Sequence, residues 1–368
     1  VIMLKESKIL SAHEAKSILA TTQEMLEMGG SPTFAINDSK EDIYFNIESY
    51  VIEKVGIQIG GKQHIARSRN DLGATATRMA VRKSLLQILT GLSELNQTVL
   101  AVAKENLDTV MPGHTHLQPS EPITFAHYCA SIGFALERDM TRLIEVYKMV
   151  NICPLGGTSM GSTTFPIDRV RTAELLGFDT PMDNSLDCVA ARDYVLQYLA
   201  AMSILGNTLS RLANDLYVWA TPYYDFIEVD DSMAACSSIM PQKKNPWTLE
   251  YIKGRCAHIE GDFIAASSSL RATPYTHCQD VAVETPAVIF RACDDLISSI
   301  KLMQGTLKTL KTKPKNMLRA ATDTYCTVTE LANTFVRVDN ISFRSAHHIV
   351  ARIVDHMLSK NLLAHEIS

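Results

Sequence analysis

The run LGATATRMAVRKSLLQILTGLSELNQTVLAVAKENLDTV, residues 72–110, decides the fold class of this chain. Within it Met79, Val81, Leu85, Leu86, Ile88, Leu89, Leu92, Leu95, Val99, Leu100 and Val102 recur at helical spacing. They trace a wide apolar stripe over roughly ten turns. The pattern returns at 122–150, 185–220, 247–269 and 285–310, and no convincing strand alternation is found. These helices exceed the common length of about 8–20 residues. The expected fold is therefore all-α, a bundle of five long helices. The stripes are wide enough for each helix to be covered on more than one side, which favours an oligomer whose subunits share one bundle. Glycines cluster between helices at Gly156-Gly157 and Gly161, and 311–315, with Pro314, reads as a basic linker. The expected division is an N-terminal helical part at 1–71, a central bundle at 72–310 and a small helical part at 311–368.

The chain has 368 residues, a formal net charge of −5 and 46% hydrophobic residues, ample for a large core. The slight acidity and the lack of a lysine/arginine tract argue against nucleic acid as a partner. No signal-peptide pattern and no uninterrupted apolar run of about 18 residues is present, so no membrane association is expected. The eight cysteines, at 129, 153, 188, 236, 256, 278, 293 and 326, form no C-x-x-C pair and no zinc spacing. They read as reduced, mostly buried thiols of a cytoplasmic protein. Val1-Ile2-Met3 does not read as a natural start, and Ala364-His365-Glu366-Ile367-Ser368 breaks off without a helix-stop signal. Both ends of a longer protein are expected to be missing.

Chemistry is concentrated in the breaks between helices. Cys236-Ser237-Ser238-Ile239-Met240-Pro241-Gln242-Lys243-Lys244-Asn245-Pro246 packs two hydroxyls, two ammonium groups and two amides into eleven residues. Pro246 suits the first turn of a following helix, whose N-terminus would turn N–H groups toward an anion. A carboxylate site with an activated hydroxyl fits this stretch, and so does a basic surface loop. In Lys62-Gln63-His64-Ile65-Ala66-Arg67-Ser68-Arg69-Asn70-Asp71, two guanidiniums flank a hydroxyl just before the helix expected near Leu72. Asn70 or Asp71 can cap that helix, and arginine forks match carboxylates. Solvated arginines at a helix start fit equally. Met111-Pro112-Gly113-His114-Thr115-His116-Leu117-Gln118-Pro119-Ser120-Glu121-Pro122 reads as a loop joining two long helices. No carboxylate–histidine pair there supports a metal, and none is expected.

Taken together, these three stretches resemble the aspartase/fumarase superfamily, and within it the argininosuccinate lyase branch. Glu41-Asp42-Ile43, Pro154-Leu155-Gly156, Pro166-Ile167-Asp168-Arg169, Asn184-Ser185-Leu186-Asp187 and Ala191-Arg192-Asp193 support the likeness, and Phe343-Arg344-Ser345-Ala346-His347 does so more weakly. It spans nearly the whole chain. The form Gln242-Lys243-Lys244-Asn245-Pro246 points to the argininosuccinate branch and away from a hydratase.

The resemblance implies a carbon–nitrogen lyase that eliminates an amine from an N-substituted aspartate to give fumarate, with a place in arginine biosynthesis. The carbon acid is very weak, so its charge must flow into a carboxylate surrounded by pre-aimed donors. Ser237 would be the base, as its alkoxide, beside Lys243, and Lys243 and Asn245 would hold the carboxylate that takes up charge. Arg67, Ser68, Asn70 and Thr115 would bind the substrate, and His116, oriented by Glu250, would help protonate the leaving nitrogen. No cofactor is implied, and the partner is a small molecule. The family assembles as a homotetramer with sites shared between subunits. Inactive, crystallin-like structural members of the family are the non-enzymatic alternative.

The sequence departs from the branch at the leaving-group end. Tyr44 stands where a histidine is usual, and Leu72 where a glutamine is. Tyr275 is kept, but Thr276-His277-Cys278-Gln279-Asp280-Val281 replaces the usual stretch behind it. Tyr44, Leu72 and the segment from Tyr275 to Asp280, with Gln279 in it, are expected to line the side of the pocket away from Ser237. These changes are either drift within argininosuccinate lyases or a changed amine specificity.

Overall fold

The structure, a computed structural model, describes residues 1–30 and 33–366. Five long helices dominate it: α1 (Arg69–Glu105), α2 (Phe125–Val150), α3 (Asp193–Trp219), α4 (Trp247–Leu270) and α5 (Ile289–Thr309). The chain divides into two compact units that interleave along the sequence. Unit 1 holds 1–86, 143–200 and 261–291, and unit 2 holds 87–142, 201–260 and 292–368. The unit boundaries fall within the long helices.

Unit 2 is a ring of helix contacts. Gly133 of α2 sits where a Cβ would be 3.2 Å from Asn96 of α1, and Gly206 of α3 where it would be 3.4 Å from Cys256 of α4. Tyr128 donates to Asp215 (2.7 Å) and Thr208 to Asp139 (2.7 Å), which ties α2 to α3 twice. Arg255 of α4 pairs with buried Asp295 of α5, and a Cβ added at Gly91 of α1 would lie 3.4 Å from Ile300 of α5, which closes the ring. Ile88, Leu92, Leu95, Leu205, Leu209, Leu212, Ile252, Ile259, Leu296 and Met303 fill the interior. The apolar stripe read from the sequence is this buried face.

Unit 1 repeats the logic with fewer turns. Arg78 of α1 is buried, stacks on Tyr194 of α3 at 4.0 Å and donates to the carbonyls of Met149 (2.8 Å) and Val150 (3.2 Å) at the end of α2. A smaller core of Leu4, Leu10, Ile18 and Val51 packs the N-terminal helices.

Three boundaries differ from the sequence reading. Helix α1 begins at Arg69 rather than near Leu72, because Ser68 and not Asn70 or Asp71 supplies the cap. The expected helix at 185–220 breaks at Ala191-Arg192 into Asp187–Ala190 and α3. The stretch 110–124, expected as a loop, is a hairpin of β1 (Val110–Thr115) and β2 (Gln118–Thr124). Most of its residues are exposed or half-buried, so its strands need no apolar alternation and left none to read. The basic linker at 311–315 starts as a two-residue strand, Lys311–Thr312, paired with Ile227–Glu228, and Pro314 then opens the helix Pro314–Asp323. At the C-terminal end, Ala364–Glu366 form a 3₁₀ turn, while Ile367 and Ser368 lie outside the described residues.

Candidate active site

Unit 2 carries six of the candidate residues. The loop after β3 (Ala235–Cys236) returns through β4 (Lys244–Asn245), with Ala235 opposite Asn245 and Cys236 opposite Lys244. This pairing sets Ser237 directly across from Lys243, and the Ser237 N–H donates to the Lys243 carbonyl (3.2 Å). The Ser237 hydroxyl oxygen in turn accepts from the N–H groups of Ile239 (3.3 Å) and Met240 (3.0 Å). Two amide donors aimed at one oxygen favour its anionic form.

The two adjacent lysines have different company. Lys244 is held by Asp231 (2.6 Å) and Glu228 (3.2 Å), and the Asp231 bond raises its pKa above the ordinary value. Lys243 makes no ion pair among the described residues, so its charge is left for a ligand. Glu250 stands in the first turn of α4, and the Tyr217 hydroxyl donates to its carboxylate, which raises the Tyr217 pKa. No hydrogen bond joins Glu250 to His116 among the described residues.

The third candidate stretch is presented by the hairpin. His116 and Leu117 form its two-residue turn, both at positive φ (55° and 59°), as a primed hairpin turn requires. A histidine in that region is uncommon, and such strain tends to collect at functional positions. Thr115 and His116 are exposed at the tip, while His114 behind them packs on Tyr224 and Phe226 at 5.7 and 6.2 Å. Burial pulls the His114 pKa down, which suits a packing role. The hairpin register shifts at Gly113, where an added Cβ would lie 2.7 Å from the Glu121 carbonyl oxygen. Gly113→Ala is expected to destabilise the fold by about 1–3 kcal/mol and to lower activity with it, measured by denaturant unfolding and turnover.

The tip of the Ser237 loop has little to hold it. Ile239 is 82% exposed and Met240 49%. Loops of this kind close over bound substrate and exclude water. Fast amide exchange is expected at 232–243 in the free protein, slowed when a ligand fills the site. Equal protection in both states would contradict this.

Unit 1 carries the other six. Ser68 caps α1 by accepting from the Asn70 N–H (3.2 Å). Fully buried Asp71 accepts from the N–H groups of Ser68 (2.9 Å), Gly156 (2.9 Å) and Thr158 (2.8 Å). It thereby fastens the 156–162 loop beside the cap, and Asn70 donates to the Ser159 carbonyl (3.2 Å). Burial raises the Asp71 pKa, with the backbone amides of Ser68, Gly156, Thr158 and Leu72 opposing. The sequence reading took Asp71 as a possible cap and 156–157 as a glycine break. The spacing of Ser68 and Asp71, a capping-box signature, was the available signal.

Arg67 donates to the Tyr44 hydroxyl (3.0 Å), which lies 2.5 Å from His64 Nδ1. Tyr44, Arg67 and Leu72 border a mainly apolar cavity of about 480 Å³. Asn70 and Gln279 line a second, polar cavity of about 510 Å³, together with Arg69, Arg192 and His277. The Tyr275 hydroxyl donates to Asp187 at 2.5 Å, and that bond pushes its pKa up to about 12. The altered positions therefore do not share one wall. Tyr44 and Leu72 face the apolar cavity, and the 277–279 segment the polar one.

A helical bundle whose loops expose a cradled hydroxyl and an unpaired lysine is a framework for acid–base chemistry. Residues 3–261 match a family described as Lyase, and 325–368 match one described as Argininosuccinate lyase C-terminal. The protein is an enzyme, a carbon–nitrogen lyase. Argininosuccinate lyase 1 of Shouchella clausii is 46% identical over 98% of this chain and 72% of its own length. Argininosuccinate lyase of Methanosarcina barkeri is 38% identical over 97% and 72%. A solved structure of EDDS lyase with formate superposes with a TM-score of 0.91 at 34% identity, covering 100% of this chain and 71% of that one. A class II fumarase from Schistosoma mansoni shares the fold, with a TM-score of 0.81 at 16% identity, covering 99% of this chain and 85% of that one. The chain belongs to the argininosuccinate lyase family.

Proposed function

We propose that the enzyme removes an amine from an N-substituted aspartate and releases fumarate, with argininosuccinate as the first substrate to test. The observation that carries this reading is the Ser237 hydroxyl, held by two backbone amides opposite Lys243. Ser237, as alkoxide, takes the proton from the carbon next to the far carboxylate. The freed electron pair moves into that carboxylate, where Lys243 and Asn245 balance the charge. The pair then returns to form the double bond as the C–N bond breaks, and the nitrogen leaves with its pair and takes a proton by way of His116. Ser68, Asn70, Arg67 and Thr115 hold the substrate, and Glu250 tunes the acid side.

The functional unit in this reading is a homotetramer with sites shared between subunits, located in the cytoplasm. Exposed Leu86, Leu100, Phe134 and Ile264 on the long helices support the assembly, since surfaces so apolar are normally covered. Light scattering tests it, and an active monomer would overturn it. Fumarate release, followed by ultraviolet absorbance over a panel of N-substituted aspartates, tests the reaction.

A second reading has specific support. A structure of an EDDS lyase variant with bound fumarate superposes with a TM-score of 0.91 at 34% identity, so a relative of this fold works on a different amine. The residues at Tyr44, Leu72 and 276–281 depart from the argininosuccinate pattern. On this reading argininosuccinate is at best a moderate substrate, and another amine is used equally well or better. A kcat/KM for argininosuccinate far above every other compound in the panel would refute it.

A further inference from the structure

The ties that hold the Ser237 loop gather at its base, in unit 2. At the tip, the bonds among Ser237, Ile239, Met240 and Lys243 stay within the tip itself. At the near end, Asp230 accepts from the Ser232 N–H (3.1 Å), and Asp231 pairs with Lys244 (2.6 Å). The Asp231 side chain is 92% exposed, and an ion pair so open to water holds little. A firmer tie lies at Met233. Its carbonyl accepts from the hydroxyl of buried Thr248 (2.7 Å), in the first turn of α4. That bond joins the start of the loop to the helix that follows it. The half-buried Met233 side chain runs onto α5 at Gly305. A Cβ added to Gly305 would lie 2.6 Å from Met233 Cε and 3.3 Å from its Sδ. Gly305 stands inside α5, where glycine is a poor helix former, and its φ is not positive. The missing Cβ therefore serves packing: it leaves the space in which the end of Met233 sits.

Resting on the proposed role of Ser237 as the base, we infer that Met233, seated on Gly305 and tied by Thr248, is a positioning residue for the lyase reaction. It acts through the loop backbone. Met233 stands two residues before β3, and β3 pairs with β4 so that Ser237 falls opposite Lys243. Each of these strands is two residues long, and so short a ladder has little stiffness of its own. Its placement on α4 and α5 is therefore set at Met233, and a shift there carries along the chain to the Ser237 hydroxyl. Misplacing a reacting group by about 1 Å costs up to about 100-fold in rate. Met233, Thr248 and Gly305 all fall outside the stretches that carry the family likeness.

Gly305→Ala fills the seat. The clash falls on the far end of a flexible side chain, so Met233 moves and α5 does not. Alanine also favours the helix, so the unfolding midpoint is expected to stay or rise. The kcat for fumarate release is expected to fall by at least about 10-fold, and by more than KM rises. Adding Met233→Ala shortens the side chain and keeps the carbonyl that Thr248 holds. The double variant is expected to regain at least about 5-fold over Gly305→Ala, as contacting residues couple. An unchanged kcat in Gly305→Ala, or a double variant no better than the single one, would overturn the inference. Thr248→Val breaks the tie without touching α5, so it reports even if the alanine variant fails to fold, and it too is expected to lower kcat. Exposed Cys236, on β3, gives a readout that needs no turnover. Its alkylation by iodoacetamide, followed by mass spectrometry, is expected to quicken at least about 3-fold in Gly305→Ala and in Thr248→Val, because a loosened base opens more often. In the double variant it should return toward the rate of the unaltered protein, with half-buried Cys278 as the internal reference. Unchanged alkylation in both single variants would overturn the seat even if no fumarate is released from any compound. Failure of the lyase reaction itself is distinct, since it would be an absence of fumarate from the unaltered protein with the alkylation pattern intact.

Discussion

Ser237→Ala is expected to abolish fumarate release, with a loss of at least ~10³-fold in kcat, and to leave the unfolding midpoint where it was. Among the described residues the side chain's hydrogen bonds are to two amides of its own loop, so its removal orphans no buried group. The neighbouring N–H groups of Ile239 and Met240 belong to exposed residues and turn to water. A surface change of this type alters stability by less than about 0.5 kcal/mol. The chemistry is affected very differently. No second hydroxyl stands in the same cradle, because Ser238 is one residue on and does not receive the two amides. The measurement is ultraviolet absorbance of fumarate under saturating substrate, alongside a denaturant curve. Near-normal release from the variant would mean that another group is the base.

Much of this framework was legible in the sequence, and the illegible parts have physical reasons. Helical periodicity located all five long helices because each buries a continuous face, and a buried face leaves a repeating apolar record. The hairpin at 110–124 buries little and left no such record. The Ser237 loop stood out by its density of polar groups, but its closure on Lys243 through paired backbones depends on a register that no side-chain pattern specifies. The choice of Lys243 over Lys244 came from resemblance; that Glu228 and Asp231 bind Lys244 is a spatial fact that no sequence pattern records. Arg192 was read only as part of a supporting motif. Among the described residues it has no counter-ion, a property of the folded surroundings, where its hydrogen bonds go to backbone carbonyls.

The other large effect is expected at Asp71, which touches no reacting group. Its carboxylate is fully buried and is the acceptor for three backbone amides from two separate stretches, Ser68 on one side and Gly156 and Thr158 on the other. Asp71→Ala leaves those three N–H groups without a partner in a dry place. Each unsatisfied buried amide costs about 1–3 kcal/mol, and partial entry of water brings the expected total to about 3–5 kcal/mol. The loss reaches function because Ser68 and Asn70 are positioned by the same cap, and Asn70 also leans on the Ser159 carbonyl (3.2 Å). Asp71→Asn separates the two consequences. It keeps one acceptor oxygen for Gly156 and Thr158, but it turns an NH₂ group toward the Ser68 N–H, donor against donor. The asparagine variant is expected to fold with a loss of about 1–2 kcal/mol, comparable to a lost cap. Its KM should rise more than its kcat falls, since the disturbed residues are proposed to bind carboxylates in substrate and transition state alike. Denaturant unfolding and initial rates across substrate concentration measure both effects. An alanine variant as stable as the parent would mean that the 156–162 loop is held by other contacts, and an asparagine variant altered in kcat alone would place Asp71 closer to the chemistry than its hydrogen bonds suggest.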